Sequence, residues 1–337
     1  PDFNAGAMEN VAAVTFNEGY IARGEKSTSA RMSLANVIAH EMAHMWFGDL
    51  ITIDWWGGLW LKESFATYMA NLSLEKTGLS NSAWNLFYTS TKQRAYRADE
   101  RVTTHPIQMP VSDTKSGIAS FDSITYSKGA SVLNQLTHNL GEDVFRDGVR
   151  AYFKEFENQA TKLPDFITTL GKVADKDLTN WTNDWLYTSG VNRLQADFEC
   201  ESGKISEFKI VQTAPNQFPT IREHALQIGL YGIDEEEKQV STLSTEAVKI
   251  SGAETKINSL IGKACPDMVY PNHGDWGYVK VLLDDNTLAK VSKALPVVQD
   301  PMLKAMLYQS LWDLVQDLKL PLTDYIDIVQ KHIHKEA

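Results

Sequence analysis

Between residues 40 and 63 the chain reads HEMAHMWFGDLITIDWWGGLWLKE, and this stretch limits the possible folds more than any other. His40 and His44 are four residues apart, so on a helix their side chains stand one turn above each other on a single face. Two imidazoles placed this way can share one tetrahedral cation, with Glu41 beside them to reach a water in the remaining position. The bland alternative is two partly exposed helical histidines and a surface glutamate. The neighbours speak against it. Ile38, Ala39, Met42, Ala43 and Phe47 are apolar, which predicts a largely buried helix, and burying two histidines and a glutamate without partners is costly. A cation removes that cost, and two histidines with a glutamate form a recognised catalytic zinc set that leaves one position for water. Eighteen residues separate His44 from Glu63. The intervening GDLITIDWWGG is long enough to reverse the chain and lay the next helix against the first, so Glu63 is the expected third ligand. One Zn2+ per chain is the expected cofactor.

The rest of the chain divides by pattern. After a short β-prone run, VAAVTF (11–16), helical periodicity covers 31–47, 59–77, 81–101, 127–140, 142–158, 164–175 and 178–189, with Gly78 a natural stop for the second of these. From Leu194 to about Leu283 the pattern alternates and is broken by turns (LQADFEC, ISEFKIVQT, ALQIGLYGI, GYVKVLL), which predicts the antiparallel strands of a small β-sandwich. Helical patterns return from about Asn286. A chain of 337 residues is too long for one typical domain. The expected architecture is multidomain α+β: a mainly helical domain over 1–192, a β-sandwich over 193–285 and the start of an α-helical domain over 286–337.

A formal charge of −11 argues against nucleic acid or an anionic membrane surface as the main partner. No run of eighteen or more apolar residues is present, so no segment is expected to span a bilayer. Cys200 and Cys265 lie far apart in no CxxC pattern, and the expectation is two reduced thiols and a cytoplasmic setting. The opening PDFN lacks a Met and reads as the middle of a fold, while the closing HIHKEA follows a helical run. Both suggest a piece of a longer protein.

Three motifs in this order, GAMEN (6–10), H-E-x-x-H with a glutamate eighteen residues on, and FDSITYSKGA (121–130), make the chain similar to the zinc aminopeptidase N family, to which leukotriene hydrolase also belongs. PDFNAGAMENVAAVTF and LWLKESFATYMA are closest to the bacterial aminopeptidase N type. The motifs cover residues 1–130 densely; beyond that the likeness is one of domain order. The resemblance implies a thermolysin-like catalytic domain that lacks its N-terminal part here. It also implies that most of the C-terminal helical domain lies outside the chain, and that the activity is release of N-terminal residues from peptides. Glu41 is then the general base. Glu9 would hold the free α-ammonium of the substrate, which is what turns a peptidase into an exopeptidase, because an internal peptide N–H offers a carboxylate no charge partner. Gly6, Ala7 and Met8 would lie along the substrate backbone like an added strand, and Asn10 would orient the amine or Glu9. Tyr126 would hydrogen-bond the developing oxyanion. Without the resemblance, Glu9 is an ordinary polar residue at a strand edge and Tyr126 a tyrosine packing the start of a helix.

Two departures from the family pattern stand out. Lys62-Glu63-Ser64 replaces the usual Asn-Glu-Gly; the lysine either alters the basicity of the ligand beside it or points to solvent. A second anchor for the substrate amine normally comes from a segment before residue 1. Asp49 and Asp54 are candidates for orienting the histidines, and Trp46, Trp55, Trp56 and Trp60 are expected to pack around the site. A zinc endopeptidase and a catalytically silent module are the competing readings, and motifs alone do not separate the epoxide hydrolysis of the leukotriene branch.

Overall fold

A computed structural model of the chain describes residues 5–21, 23–234, 236 and 238–332. The opening PDFN and all but the first residue of HIHKEA lie outside them. The fold is mixed α+β, and contacts divide it into two compact units, Pro1–Ser189 and Gly190–Ala337.

The first unit begins with a small hairpin, β1 (Ala7–Met8) paired antiparallel to β2 (Thr15–Phe16). Of the β-prone run 11–16 only the last two residues pair, because Val11 and Ala12 form the connecting turn. Then come α1 (Thr28–His44), β3 (Thr52–Ile53), α2 (Trp60–Lys76), α3 (Ala83–Leu86), a π-helical stretch Phe87–Lys92 and α4 (Gln93–Asp99). After them stand α5 (Thr114–Ala119), a second π-helical stretch Ile124–Lys128, α6 (Gly129–Leu140) and α7 (Glu142–Phe156). β4 (Ala160–Thr161), α8 (Leu163–Ala174) and α9 (Thr179–Leu186) complete the unit.

Ser27 starts α1 by accepting the Ala30 N–H on its hydroxyl, which satisfies one of the free donors of the first turn. α2 is buried on nearly all sides and forms the centre of the unit. Its Phe65 stacks on Phe47 with ring centroids 4.4 Å apart and meets Phe166 of α8 edge-on at 5.1 Å. This aromatic floor fixes α2 under α1. α1 itself departs from the expectation of a largely buried helix. Glu41 and His44 are buried, but Ile38 is exposed and Met42 keeps 58% of its surface, so the apolar flank does not enter the core.

In the second unit β5 (Asn192–Glu201), β6 (Lys204–Thr213), β7 (His224–Asp234) and β8 (Gln239–Ile250) are the long strands, with β9 (Glu254–Lys256), β10 (Met268–Tyr270) and β11 (Val279–Leu282) the short ones. They form two sheets, ordered β11-β5-β6-β9 and β10-β7-β8. Alternate residues such as Leu194, Phe208, Ile210, Leu226, Ile228 and Val279 from both sheets join in one apolar cluster. The strands are not all antiparallel: β11 runs parallel to β5, with Val279 opposite Asn192. Alternation looks the same in either direction, so the pattern could not have told. α10 (Asp285–Ala294), α11 (Pro301–Gln316) and α12 (Leu322–His332) follow.

Cys200 and Cys265 are joined in a disulfide, against the expectation of two thiols. The chain near 265 runs beside the β5–β6 turn, where Cys265 N–H donates to Gly203 O at 2.9 Å, and this brings the two Cα atoms to 5.9 Å. Closing a loop of 65 residues stabilises the folded unit by about 4 kcal/mol on a chain-entropy basis.

Candidate active site

α1 carries His40, Glu41 and His44 in its last two turns, and the helix ends there because the chain must turn. Gly48 makes the turn with φ +136°, and a Cβ there would also stand 3.4 Å from His44 Nδ1. β3 then pairs in parallel with β4, and a 3-10 turn, Trp56–Gly58, leads into α2. Glu63 therefore falls in the first turn of α2 and faces the histidines.

His40 Nε2 and His44 Nε2 lie 3.1 Å apart, and Glu63 Oε2 lies 3.4 Å from the first and 3.2 Å from the second. His44 Nδ1 is 2.8 Å from Phe47 O, a carbonyl that can only accept, so Nδ1 carries a proton and Nε2 is the ring nitrogen that faces Glu63. His40 is held on its far side by the Thr67 hydroxyl at 3.4 Å. Two imidazole nitrogens and a carboxylate oxygen thus converge within a space that is nearly dry: His44 is 1% exposed and Glu63 2%. Such convergence is repulsive unless a proton or a cation sits among them. A tetrahedral zinc with bonds of about 2.0–2.1 Å needs donor atoms about 3.3 Å apart, and the three separations here bracket that distance. The donor set and its spacing fit the ion. Burial works to raise the pKa of Glu63, but both histidines and Lys62 outweigh it and hold the carboxyl well below its usual range.

Glu41 and Glu9 border this centre. Oxygens of Glu9 and Glu41 and a nitrogen of His44 all lie within 4.8 Å of one another. Burial, helped by the charges of Glu9 and Glu63 and opposed by His44, raises Glu41 to about 7. Its Oε2 is buried with no hydrogen-bond partner among the described residues. Glu9 follows directly on β1. Burial would raise its pKa, but His44 and Lys62 outweigh that and hold it below its ordinary value. Lys62 does not point to solvent: Nζ sits 2.5 Å from Glu9 Oε1 and 3.3 Å from Glu63 Oε1. Gly6, Ala7 and Met8 lead into Glu9, with Ala7 opposite Phe16 and Met8 opposite Thr15. Asn10 turns away, donating to Thr15 Oγ1 at 3.3 Å within the hairpin.

Tyr126 arrives from the other side, on the π-helical stretch Ile124–Lys128, and its ring stacks on His40 with centroids 5.9 Å apart. Burial and the negative charge of Glu63 push its hydroxyl far above the usual tyrosine range, so it stays protonated and available as a donor. Two contacts lock this stretch to its surroundings. Ser64 Oγ donates to Thr125 O at 2.6 Å, and the helices come so close that a Cβ on Gly129 would fall 1.9 Å from that Oγ. Lys128 forms a fully buried pair with Asp99 at 2.9 Å.

The structure brings together His40, His44, Glu63, Glu41, Glu9 and Tyr126, which the sequence placed on four separate segments. It does not use Asp49 or Asp54 to orient the histidines: the Phe47 carbonyl and the Thr67 hydroxyl stand there instead, and Asp54 pairs with Lys162 at 3.5 Å. Thr67 is one helical turn beyond Glu63 on the same face, a spacing that could have flagged it. Of the four tryptophans, Trp60 is buried and bonds Gln108, and Trp56 packs on Phe121. Trp46 and Trp55 are exposed.

Comparison with known proteins shows which family the chain resembles. Residues 1–185 match the peptidase family M1 domain. The chain is 40% identical over its whole length to an aminopeptidase N of Streptomyces lividans, covering 40% of that protein. It is 38% identical over 56% of its length to a leucyl aminopeptidase of Saccharolobus solfataricus, covering 24% of it. With an aminopeptidase N of Lactobacillus helveticus the identity is 38% over 61% of the chain and 24% of the relative. The chain thus spans less than half the length of these relatives. The matched domain includes every residue of the centre just described, and the chain belongs to peptidase family M1.

Proposed function

We propose that this chain carries the catalytic centre of a zinc aminopeptidase that releases N-terminal residues from peptides. The observation that carries the reading is the position of Glu9: a buried carboxylate within 4.8 Å of Glu41 and His44, beside a His-His-Glu donor set. A carboxylate there takes a cationic N–H donor, as its contact with Lys62 shows, and the primary ammonium at the end of a peptide is the substrate group of that kind.

His40, His44 and Glu63 would hold the ion. When bound, zinc supplies Lewis acidity toward a peptide carbonyl and makes water easier to deprotonate. The protein's own groups divide the remaining work. Glu9 accepts hydrogen bonds from the α-ammonium and sets the distance from the chain end to the scissile bond. Gly6, Ala7 and Met8 use the edge of β1 not paired with β2 to lie along the substrate backbone, and Asn10 holds the hairpin turn that follows Glu9. Glu41 takes the proton of the attacking water and passes it to the leaving amine. Tyr126 donates to the oxyanion.

We further read the first unit as thermolysin-like, with residues 1–192, 193–285 and 286–337 as catalytic, β-sandwich and helical segments. Peptides with a free N-terminus are the partners; nucleic acid and membranes are not. No helix among the described residues is long and apolar enough to cross a membrane. The disulfide supports an oxidising compartment over the cytoplasmic setting expected from the sequence.

Zinc content together with hydrolysis of free and N-acetylated aminoacyl substrates tests the reading. One zinc per chain, cleavage of the free substrate and loss of cleavage on acetylation are expected, and E9Q should weaken the preference for a free amine roughly 10- to 100-fold. Equal cleavage of the acetylated substrate would mean an endopeptidase. Zinc binding without any cleavage would mean a silent module.

A further inference from the structure

The amine seat already holds an amine. Lys62 Nζ is 2.5 Å from Glu9 Oε1, the oxygen that an incoming α-ammonium would need, and 3.3 Å from Glu63 Oε1. A lysine side chain ends in the same chemical group as a peptide N-terminus: a primary ammonium with three N–H donors and one positive charge. Glu9 and Lys62 are both largely buried, so their contact is little screened by water.

We propose that Lys62 is a resident ammonium in the substrate's amine site and that it sets how tightly free N-termini bind. Resting on the assignment of Glu9 above, the inference adds how that site is regulated. With no substrate, Lys62 satisfies Glu9, which would otherwise be a buried unpaired carboxylate. An arriving α-ammonium takes Glu9 from Lys62, which keeps its second contact on Glu63. Amine affinity is then the difference between two ammonium–carboxylate contacts rather than the whole of one, and the fixed positive charge repels the newcomer. Lys62 is therefore a specificity-determining residue acting through Glu9, and its effect falls on KM more than on kcat.

The probe is leucinamide, titrated calorimetrically into the zinc-loaded protein. K62M keeps the stem and removes the charge, and should bind leucinamide about tenfold tighter than the unmodified chain, with KM for an aminoacyl substrate falling in parallel. K62R restores a cation and should return the affinity to that of the unmodified chain. Circular dichroism and zinc stoichiometry check the fold of each variant; should K62M not fold, K62Q removes the same charge while still offering Glu9 an N–H. Unchanged or weaker leucinamide binding in the folded charge-free variant overturns the proposal. Loss of binding in E9Q with no gain in K62M or K62Q overturns this inference alone, whereas E9Q binding as tightly as the unmodified chain overturns the reading of Glu9 and this inference with it.

Discussion

The two units each bury a cluster of polar side chains, and the clusters are built on opposite principles. In the second unit Asn192, Gln212, Arg222 and His224 are all buried, and four contacts pair a donor with an acceptor. Arg222 Nη1 donates to Asn192 Oδ1 at 2.8 Å, Gln212 Nε2 to Arg222 O at 3.0 Å, and Arg222 N to Gln212 Oε1 at 3.1 Å. His224 Nε2 meets the same Gln212 Oε1 at 3.0 Å, and burial with the nearby Arg222 charge pushes this histidine down to about 3, so it stays neutral. In the first unit Nε2 of His40, Nε2 of His44 and Oε2 of Glu63 converge on one point, and Glu41 is left with a spare oxygen. Paired donors and acceptors specify a fold; ligand atoms that converge on one point have valence left over for a cation. Burial of charge alone distinguishes nothing.

If that contrast is right, the two clusters respond oppositely to substitution. On the function proposed above, Glu41→Gln should give the largest effect, lowering kcat/KM for an aminoacyl substrate about 1,000-fold by removing the proposed base. Thermal unfolding should stay put or rise, since the variant removes a buried carboxylate that has an unpartnered oxygen. Melting temperature falling together with activity would show that Glu41 is part of the architecture, and the contrast would break.

The paired network should behave in reverse. Arg222→Met strands the Asn192 acceptor in a dry interior and should cost about 3 kcal/mol of stability. Denaturant unfolding reads this directly, while the catalytic parameters of the folded fraction stay unchanged. A variant as stable as the original would mean that the network contributes no stability and that its order has another cause.

What could be read from the sequence follows from how local each feature is. His40 and His44 share one helix at a fixed spacing, and Glu63 needs only one reversal of the chain, so the donor set was legible. The long helices were legible too: the second ends at Lys76, just before the Gly78 stop. Glu9 and Tyr126 reach the centre from distant segments, and only the resemblance to a family pointed to them. The disulfide was missed because a separation of 65 residues leaves no local trace of pairing. The destination of Lys62 was illegible for a different reason, since a flexible four-carbon stem can take its charge to solvent or to a carboxylate. The π-helical stretch under Tyr126 has no compositional signature, and neither does the parallel direction of β11.

A smaller effect tests whether the scaffold around the open site is itself closed. Asp122 sits at the start of the stretch that carries Tyr126: its Oδ1 accepts from Ile124 N at 2.9 Å and Thr125 N at 3.1 Å, and its Oδ2 takes His105 Nε2 at 2.9 Å. The other ring nitrogen of His105 is 2.7 Å from Pro106 O. Both partners only accept, so both nitrogens carry protons and the histidine is a cation. Burial works to lower its pKa, with Lys128 adding to that, but the bonds to Asp122 and Pro106 outweigh them and raise it. On the Asp122 side burial works upward and is outweighed by His105 and the backbone N–H groups, so its pKa falls. A raised histidine contributes stability in full below its unfolded value near 6.5 and loses it as pH climbs through the higher folded value. The lowered aspartate contributes above its own unfolded value near 4. The pair is therefore strongest between about pH 4 and 6.5. Being partly exposed, it is worth no more than about 1 kcal/mol. The stability gap between the original chain and His105→Asn, followed by thermal unfolding across pH, should be widest near pH 5–6 and shrink steadily toward alkaline pH. A gap that stays constant would mean the imidazole is held neutral, and that the segment bearing Tyr126 is capped by Asp122 alone.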